Sequence, residues 1–246
     1  MSKVKSQNSK VKVAFFDIDG TIFRSSLLIE LVNELIVLGI FPAKATEEIS
    51  PQKIAWRNRS GSYEAYINKV VEVHRKYIEG CLWVDVHKAV ENIIHSQKNR
   101  IYRFTRDLIK SLKHEDYYLC AISASPIYLV REFAKHWGFD YATGAIYGME
   151  NGIFSGEITN TNFLDKEAVA KEFLKLSGIN ADLKNSIAVG DTDNDIPMLK
   201  MVGTPIAFNP NKTFAEYAKK NKWRVVVERK DAIYEIENFN IIPDII

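Results

Sequence analysis

The chain has 246 residues, of which 46% are hydrophobic and 26% charged, and its 33 Lys and Arg against 31 Asp and Glu leave a net charge of +2. That balance excludes a disordered chain and a collagen-like or coiled-coil fibre, and it offers no long-range attraction to nucleic acid. The length suits one large domain or two unequal ones.

Residues 1–10 are polar and carry Lys3, Lys5 and Lys10, which reads as a flexible tail. No apolar leader precedes a cleavage site, and the two cysteines, Cys81 and Cys120, suggest no disulfide framework, so a reducing, cytoplasmic setting is expected. Val11 to Phe16 is a continuous apolar run ending at Asp17, the pattern of a strand buried on both faces. Similar runs are Tyr117 to Ile122, Ser186 to Val189, Pro205 to Phe208 and Trp223 to Val227. Helical periodicity fills the gaps over 127–137, 166–176, 196–202 and 213–218, with Gly178 as a stop for the second. Strands alternating with helices predict an α/β fold with a doubly wound parallel sheet, whose ligand edge lies at the strands' carboxyl ends.

The stretch from Ser25 to about Arg106 breaks this rhythm. It shows helical patterns over 26–39, 51–59, 63–79 and 84–97, another entering at Tyr102, and no strand. An inserted α-helical cap domain over 25–106 is expected, with 11–24 and 107–246 forming the core. The most apolar stretch, Leu27 to Phe41, carries Glu30, Asn33 and Glu34 on one face and is too short to span a bilayer. Asn151-Gly152 between apolar residues marks a structural hairpin.

Four segments place polar groups at strand or helix ends. Asp17 and Asp19 follow the first strand, two carboxylates whose burial is costly unless a cation or a reaction needs them, and Gly20 allows close backbone approach. Ser123, with the Ala124 and Ser125 amides expected to open a helix, suits a phosphate. Lys166 at a helix start opposes the helix dipole and calls for an anion. Asp191, Asp193 and Asp195 follow the third strand. An EF-hand fails there, because its required Gly and Glu positions hold Ile196 and Val202. Carboxylates for a hard cation, one Lys and a hydroxyl point to Mg²⁺. The five histidines, His74, His87, His95, His114 and His136, lack metal-site spacing and read as solvated or partly buried helix residues. The run Arg57, Arg59, Arg75 and Lys76 reads as a solvated face.

Taken together, FFDIDGTI, AISAS, Lys166 and VGDTDND stand in the order of four motifs, and from Val11 to about Val227 the chain resembles the haloacid-dehalogenase-like phosphohydrolase superfamily. The helical insertion between the first two motifs is similar to its phosphoserine-phosphatase-like subgroup, subfamily IB. The resemblance implies a Rossmann-like core and an Mg²⁺-dependent phosphomonoester hydrolase acting on a small phosphorylated metabolite. It implies Asp17 as nucleophile through an aspartyl-phosphate and Asp19 as general acid and base, its backbone carbonyl also on the metal. Asp17, Asp191 and Asp195 would complete the protein's share of the Mg²⁺ shell, Asp195 either ligating or holding a bound water. Ser123 and Lys166, with Gly20, Thr21 and Ala124, would hold the phosphate. An acid at position 19 argues for a phosphatase or a mutase over the dehalogenases and the transport ATPases. A phosphoryl-transfer mutase or phosphotransferase, and a non-catalytic binding module on the same core, are the rival classes. The partner implied is a small phosphate ester, with no nucleic acid and no membrane span; the oligomeric state is not legible.

Two departures bear on substrate. Phosphoserine phosphatases carry Glu nine residues after the nucleophile, where this chain has Ser26, and their second motif reads Ser-Gly-Gly against Ser-Ala-Ser here. Phosphoserine is therefore not expected to be the best substrate. Glu30, the nearest alternative acid, sits among neighbours that suggest an ordinary exposed face.

Overall fold

The computed structural model describes residues 10–160 and 164–241, so residues 1–9 of the expected tail lie outside the described residues. In chain order the strands are β1 (Val13–Phe16), β2 (Tyr118–Pro126), β3 (Tyr141–Ala145), β4 (Tyr147–Glu150), β5 (Ile153–Ile158), β6 (Ile187–Gly190), β7 (Thr204–Phe208), β8 (Arg224–Arg229) and β9 (Ala232–Glu235). The helices are α1 (Leu27–Val37), α2 (Lys44–Arg57), α3 (Tyr63–Ile78), α4 (Trp83–Gln97), α5 (Arg103–His114), α6 (Ile127–Trp137), α7 (Lys166–Ser177), α8 (Ile196–Leu199) and α9 (Lys212–Lys220).

The main sheet runs β3-β2-β1-β6-β7-β8-β9, parallel throughout except that β9 returns antiparallel on β8. Alternation along β1 sends Ala14 and Phe16 to one face and Val13 and Phe15 to the other, all fully buried. The first face packs on α5 and α6 and continues into helices α1–α4; the second packs on α7, α8 and α9. Two covered faces explain why the strands read as unbroken apolar runs. Strand β1 lies between β2 and β6, so the chain leaves it first to one side and later to the other. That is the switch point where open α/β sheets bind ligands.

Helices α1–α4 leave and rejoin the core along two segments laid side by side. Arg24 N donates to Arg100 O (2.9 Å), Tyr102 N to Ile22 O (2.9 Å) and the Thr105 hydroxyl to Thr21 O (3.0 Å). These bonds tie the insertion to the loop just beyond Asp17. Helix α5 crosses position 106 unbroken and packs on β2. Its N-terminal amides, Arg103 N and Phe104 N, are met by the Glu228 carboxylate at 3.1 and 2.8 Å. An acid there satisfies orphan donors and complements the helix dipole.

The Asn151-Gly152 hairpin forms, with φ of 51° and 79° at its tip, and pairs β4 with β5. It stands apart from the main sheet and grips the turn between α3 and α4: Gly80 N donates to Phe154 O (2.8 Å), Phe154 N to Cys81 O (3.0 Å) and Trp83 N to Gly152 O (2.7 Å). Cys81 and Cys120 are both free. Among the described residues no helix is long and apolar enough to cross a membrane.

Several expectations are corrected. Helix α2 starts at Lys44, with Pro51 inside it rather than at its head. A proline removes one hydrogen bond, and flanking turns can carry the helix past it. Strands β3 and β9 escape the apolar-run criterion because both are edge strands: β3 is half-buried over Tyr141, Ala142 and Thr143 and buries only the small Gly144 and Ala145, and β9 is half-buried or exposed throughout. His74 is not solvated or partly buried: it is 0% exposed, while the other four histidines are half-buried or exposed. Its ring packs on Phe41 and Tyr147, its Nε2 lies 3.3 Å from the Tyr128 hydroxyl, and its Nδ1 has no partner among the described residues.

Burial lowers the His74 pKa from 6.5 to about 3. Above pH 6.5 both folded and unfolded chains hold neutral imidazole at this position. Below it only the unfolded chain takes the proton, so stability falls with pH until the folded pKa is reached. The expected slope from this one group is about 1.4 kcal/mol per pH unit. Urea unfolding between pH 7 and 5 should show a shallower slope for His74→Phe than for wild type; identical slopes would contradict the burial.

Candidate active site

The carboxyl ends of β1, β2 and β6 converge on one cleft. Asp17 follows β1 directly, its amide bonded to Val189 O of β6 at 3.0 Å, and the residue is 4% exposed. Asp191 follows β6. The metal-capable oxygens of Asp17, Asp191 and Asp195 all lie within 4.8 Å of one another. Lys166, the first residue of α7, reaches into the same space and donates to Asp17 Oδ1 at 2.5 Å and to Asp195 Oδ1. The anion that its place at a helix start demanded is this pair of carboxylates.

Each group is locally fixed. Asp195 Oδ2 accepts from Asp191 N (3.0 Å), Thr192 N (2.9 Å) and the Thr192 hydroxyl (3.3 Å), closing a capping box over the short 3₁₀ turn 193–195. Asp193 turns aside and accepts from Asn211 Nδ2 at 2.7 Å. Thr21 is buried and donates its hydroxyl to Asp191 Oδ1 at 3.3 Å. Gly20 has φ of +83°, and a Cβ there would stand 2.1 Å from Asp191 Oδ2. Only glycine fits both that backbone and that approach.

Asp19 sits at the head of α1, where Leu27 N donates to its Oδ1 at 2.5 Å. Its Oδ2 accepts from the Ser123 hydroxyl at 2.9 Å and the Ser125 hydroxyl at 2.7 Å. The helix expected to open at Ala124 does not: β2 runs on through Ser125 to Pro126, and α6 starts at Ile127. Extended backbone is what turns Ser123 and Ser125 to the same side. Ala124 therefore points the other way and is exposed.

The charge is unbalanced. Burial pushes the Asp17 carboxyl up to about 7, with Asp195 and Asp19 adding repulsion and Lys166 only partly offsetting it. Burial likewise raises Asp19, against the donors at Leu27, Ser125 and Ser123. Asp191 rises well above the carboxylate range, through burial and then Asp17 and Asp195. Burial opposes the charge on Lys166, but Asp17 and Asp195 override it and hold the ammonium protonated. One ammonium thus faces four carboxylates, and Asp17 Oδ2 is buried without a hydrogen-bond partner among the described residues. Oxygen donors in excess of the available positive charge, one of them unpaired, fit a hard divalent cation.

Two groups at the cleft carry little sequence signal. The Ser125 hydroxyl becomes legible only once the strand is known to continue. Tyr63 opens α3 within a ring cluster, 5.3 Å from Trp56 and 6.2 Å from Tyr66. Desolvation of the phenol and the charges of Asp19 and Asp191 push its pKa up, although the residue as a whole keeps 40% of its surface exposed. Glu30 is not on an ordinary exposed face. It accepts from Arg100 Nη1 (2.8 Å), the Ser25 hydroxyl (2.7 Å) and Gln97 Nε2 (3.1 Å). Lys76 of the basic run pairs with Glu48 at 2.8 Å, while Arg57 and Arg59 are exposed.

The arrangement has counterparts in known proteins. The chain is 27% identical over 220 residues to a phosphoserine phosphatase of Archaeoglobus fulgidus, an alignment that takes in 89% of this chain and 58% of that protein. It is 26% identical over 227 residues to a phosphoserine phosphatase of Methanocaldococcus jannaschii, across 90% of this chain and 94% of that one. A crystal structure of a Bordetella pertussis Tohama I protein of unknown function shares the fold with a TM-score of 0.70 at 18% identity, covering 88% of this chain and 98% of that chain. A sequence model of the haloacid dehalogenase-like hydrolases matches residues 14–200, from inside β1 to the end of α8 and so across every carboxylate of the cleft. With its acids, its lysine and its serine on the strand and helix ends where that match runs, the chain belongs to the haloacid dehalogenase-like hydrolase family.

Proposed function

We propose that the protein is an Mg²⁺-dependent phosphomonoesterase that works through an aspartyl-phosphate on Asp17. The observation that carries this reading is the Asp17 carboxylate itself: buried, with one oxygen held by Lys166 and the other unpaired. Its relatives named phosphoserine phosphatases support the reaction class.

In the first half-reaction an Asp17 oxygen attacks phosphorus, the ester bond breaks, and the departing alcohol takes a proton from Asp19. In the second, Asp19 takes a proton from water, which attacks the phosphorus of the acyl phosphate and releases phosphate with Asp17 restored. Ser123 and Lys166 hold the phosphoryl oxygens, helped by the backbone at Ala124; the amides of Gly20 and Thr21, expected to help, are instead taken by Phe23 O and Ser25 O and by Ile18 O within the loop. Asp17, Asp191 and Asp195, with the Asp19 carbonyl, would hold Mg²⁺, which would supply the positive charge that lets a carboxylate approach a phosphate dianion. The helices α1–α4 and their flanks, 25–106, act as a cap that selects the alcohol. The two free thiols fit a cytoplasmic setting.

The alcohol is a small metabolite, and phosphoserine is not expected to lead. Ser26 is buried and neutral, Glu30 is already matched by Arg100, and Glu34, one turn further along the same face, accepts from Asn92 Nδ2 at 2.7 Å, so neither acid of this face stands without a partner for an ammonium to meet. Phosphate release from a panel of amino-acid, sugar, nucleotide and head-group phosphates tests this; phosphoserine with the highest kcat/KM would overturn it. Release without an added acceptor also separates hydrolysis from transfer. Activity should vanish in EDTA, return with Mg²⁺ and return poorly with Ca²⁺, whose looser shell misplaces the reacting groups. Full turnover by metal-free protein would refute the metal site.

A further inference from the structure

The Ser125 hydroxyl has one hydrogen, and it goes to Asp19 Oδ2 at 2.7 Å. Ser125 is 3% exposed, so no bulk water competes for that bond. Ser123 donates to the same oxygen at 2.9 Å while accepting from Ser125 N at 3.0 Å. A serine hydroxyl cannot donate to two acceptors at once. When a phosphoryl group takes the hydrogen of Ser123, Asp19 Oδ2 keeps only Ser125, and Oδ1 keeps the Leu27 amide at the head of α1. Those two donors then fix the plane of the carboxyl.

We infer that Ser125 is a positioning residue that holds Asp19 where it can hand its proton to the departing alcohol. The inference rests on the proposed role of Asp19 as acid and base in phosphate-ester hydrolysis. In this role Ser125 bonds the carboxyl of Asp19, not its carbonyl and not the phosphoryl group, and acts through that carboxyl alone. Its loss should therefore matter in proportion to how much the leaving group needs a proton. A phenol with a pKa near 10 needs one, whereas a nitrophenol, acidic enough to leave as an anion, does not.

The experiment measures kcat/KM, which covers the steps through alcohol departure, for phenyl phosphate and 4-nitrophenyl phosphate with Mg²⁺ present. Ser125→Ala should lower the phenyl value on the order of 10- to 100-fold and the nitrophenyl value by less than about threefold. Ser125→Gly removes the same hydroxyl without adding bulk and should show the same split. An equal fall for both esters would overturn the inference, since it would mark a packing or phosphate-holding role. No fall for either would overturn it as well. If wild type cleaves neither ester, the hydrolase reading itself fails, a result distinct from an unsplit loss in a wild type that is active.

Discussion

Asp17→Asn is expected to lower turnover at least about 10³-fold while leaving the fold intact. The amide is nearly isosteric with the carboxyl and cannot form the acyl phosphate. The fold should survive because the substitution removes a carboxylate whose burial is unfavourable enough to push its pKa up to about 7. Lys166 keeps Asp195 as its partner. Thermal unfolding should report an unchanged or higher midpoint in EDTA. Activity within tenfold of wild type would remove Asp17 from the role of nucleophile.

Lys166→Met should damage stability as well as activity. Lys166 and Asp17 are 7% and 6% exposed at their side chains and Asp195 is 0% exposed, so no solvent replaces the ammonium. Removing one member of a buried ion pair costs on the order of 3–5 kcal/mol, because the other charge is left uncompensated. Without Lys166 the Asp17 carboxyl, already raised by its burial, binds its proton more tightly in the folded state than in the unfolded one. The stability deficit should therefore shrink as pH falls and grow as it rises. Denaturant unfolding in EDTA at pH 5 and pH 8 checks this; a midpoint equal to wild type at pH 8 would show that the ammonium is not buried against the two acids.

How much of this was legible in the sequence depends on range. Strands β1, β2, β6, β7 and β8 were visible because burial on both faces leaves unbroken apolar runs. The body of helix α6 was readable from its apolar stripe over 127–137, though its start was not; Gly138 ends it in the left-handed region with φ of 71°. The acids of the cleft stood out because carboxylates directly after a buried strand need a reason. What was hidden involved partners far apart in the chain. Nothing near Glu30 announces Arg100, 70 positions away, and the basic and acidic residues each looked solvated alone. His74 lies on the buried side of α3 with Tyr66, Val70 and Val73, but a histidine's polarity argued against placing it there. Ser125 was misread through its backbone: a helix start expected one turn early hid the alternation that aims its hydroxyl at Asp19.

A phosphoryl group that passes through a covalent bond to Asp17 can be trapped there by acid quenching. Wild-type protein mixed with Mg²⁺ and a ³²P-labelled aryl phosphate, then quenched in acid, should carry label on the chain. That label should be released by hydroxylamine, map to the peptide holding Asp17, and be absent from Asp17→Asn. Steady turnover with no chain-bound phosphate at any quench time, or label that persists in Asp17→Asn, would exclude a phosphoryl bond to Asp17.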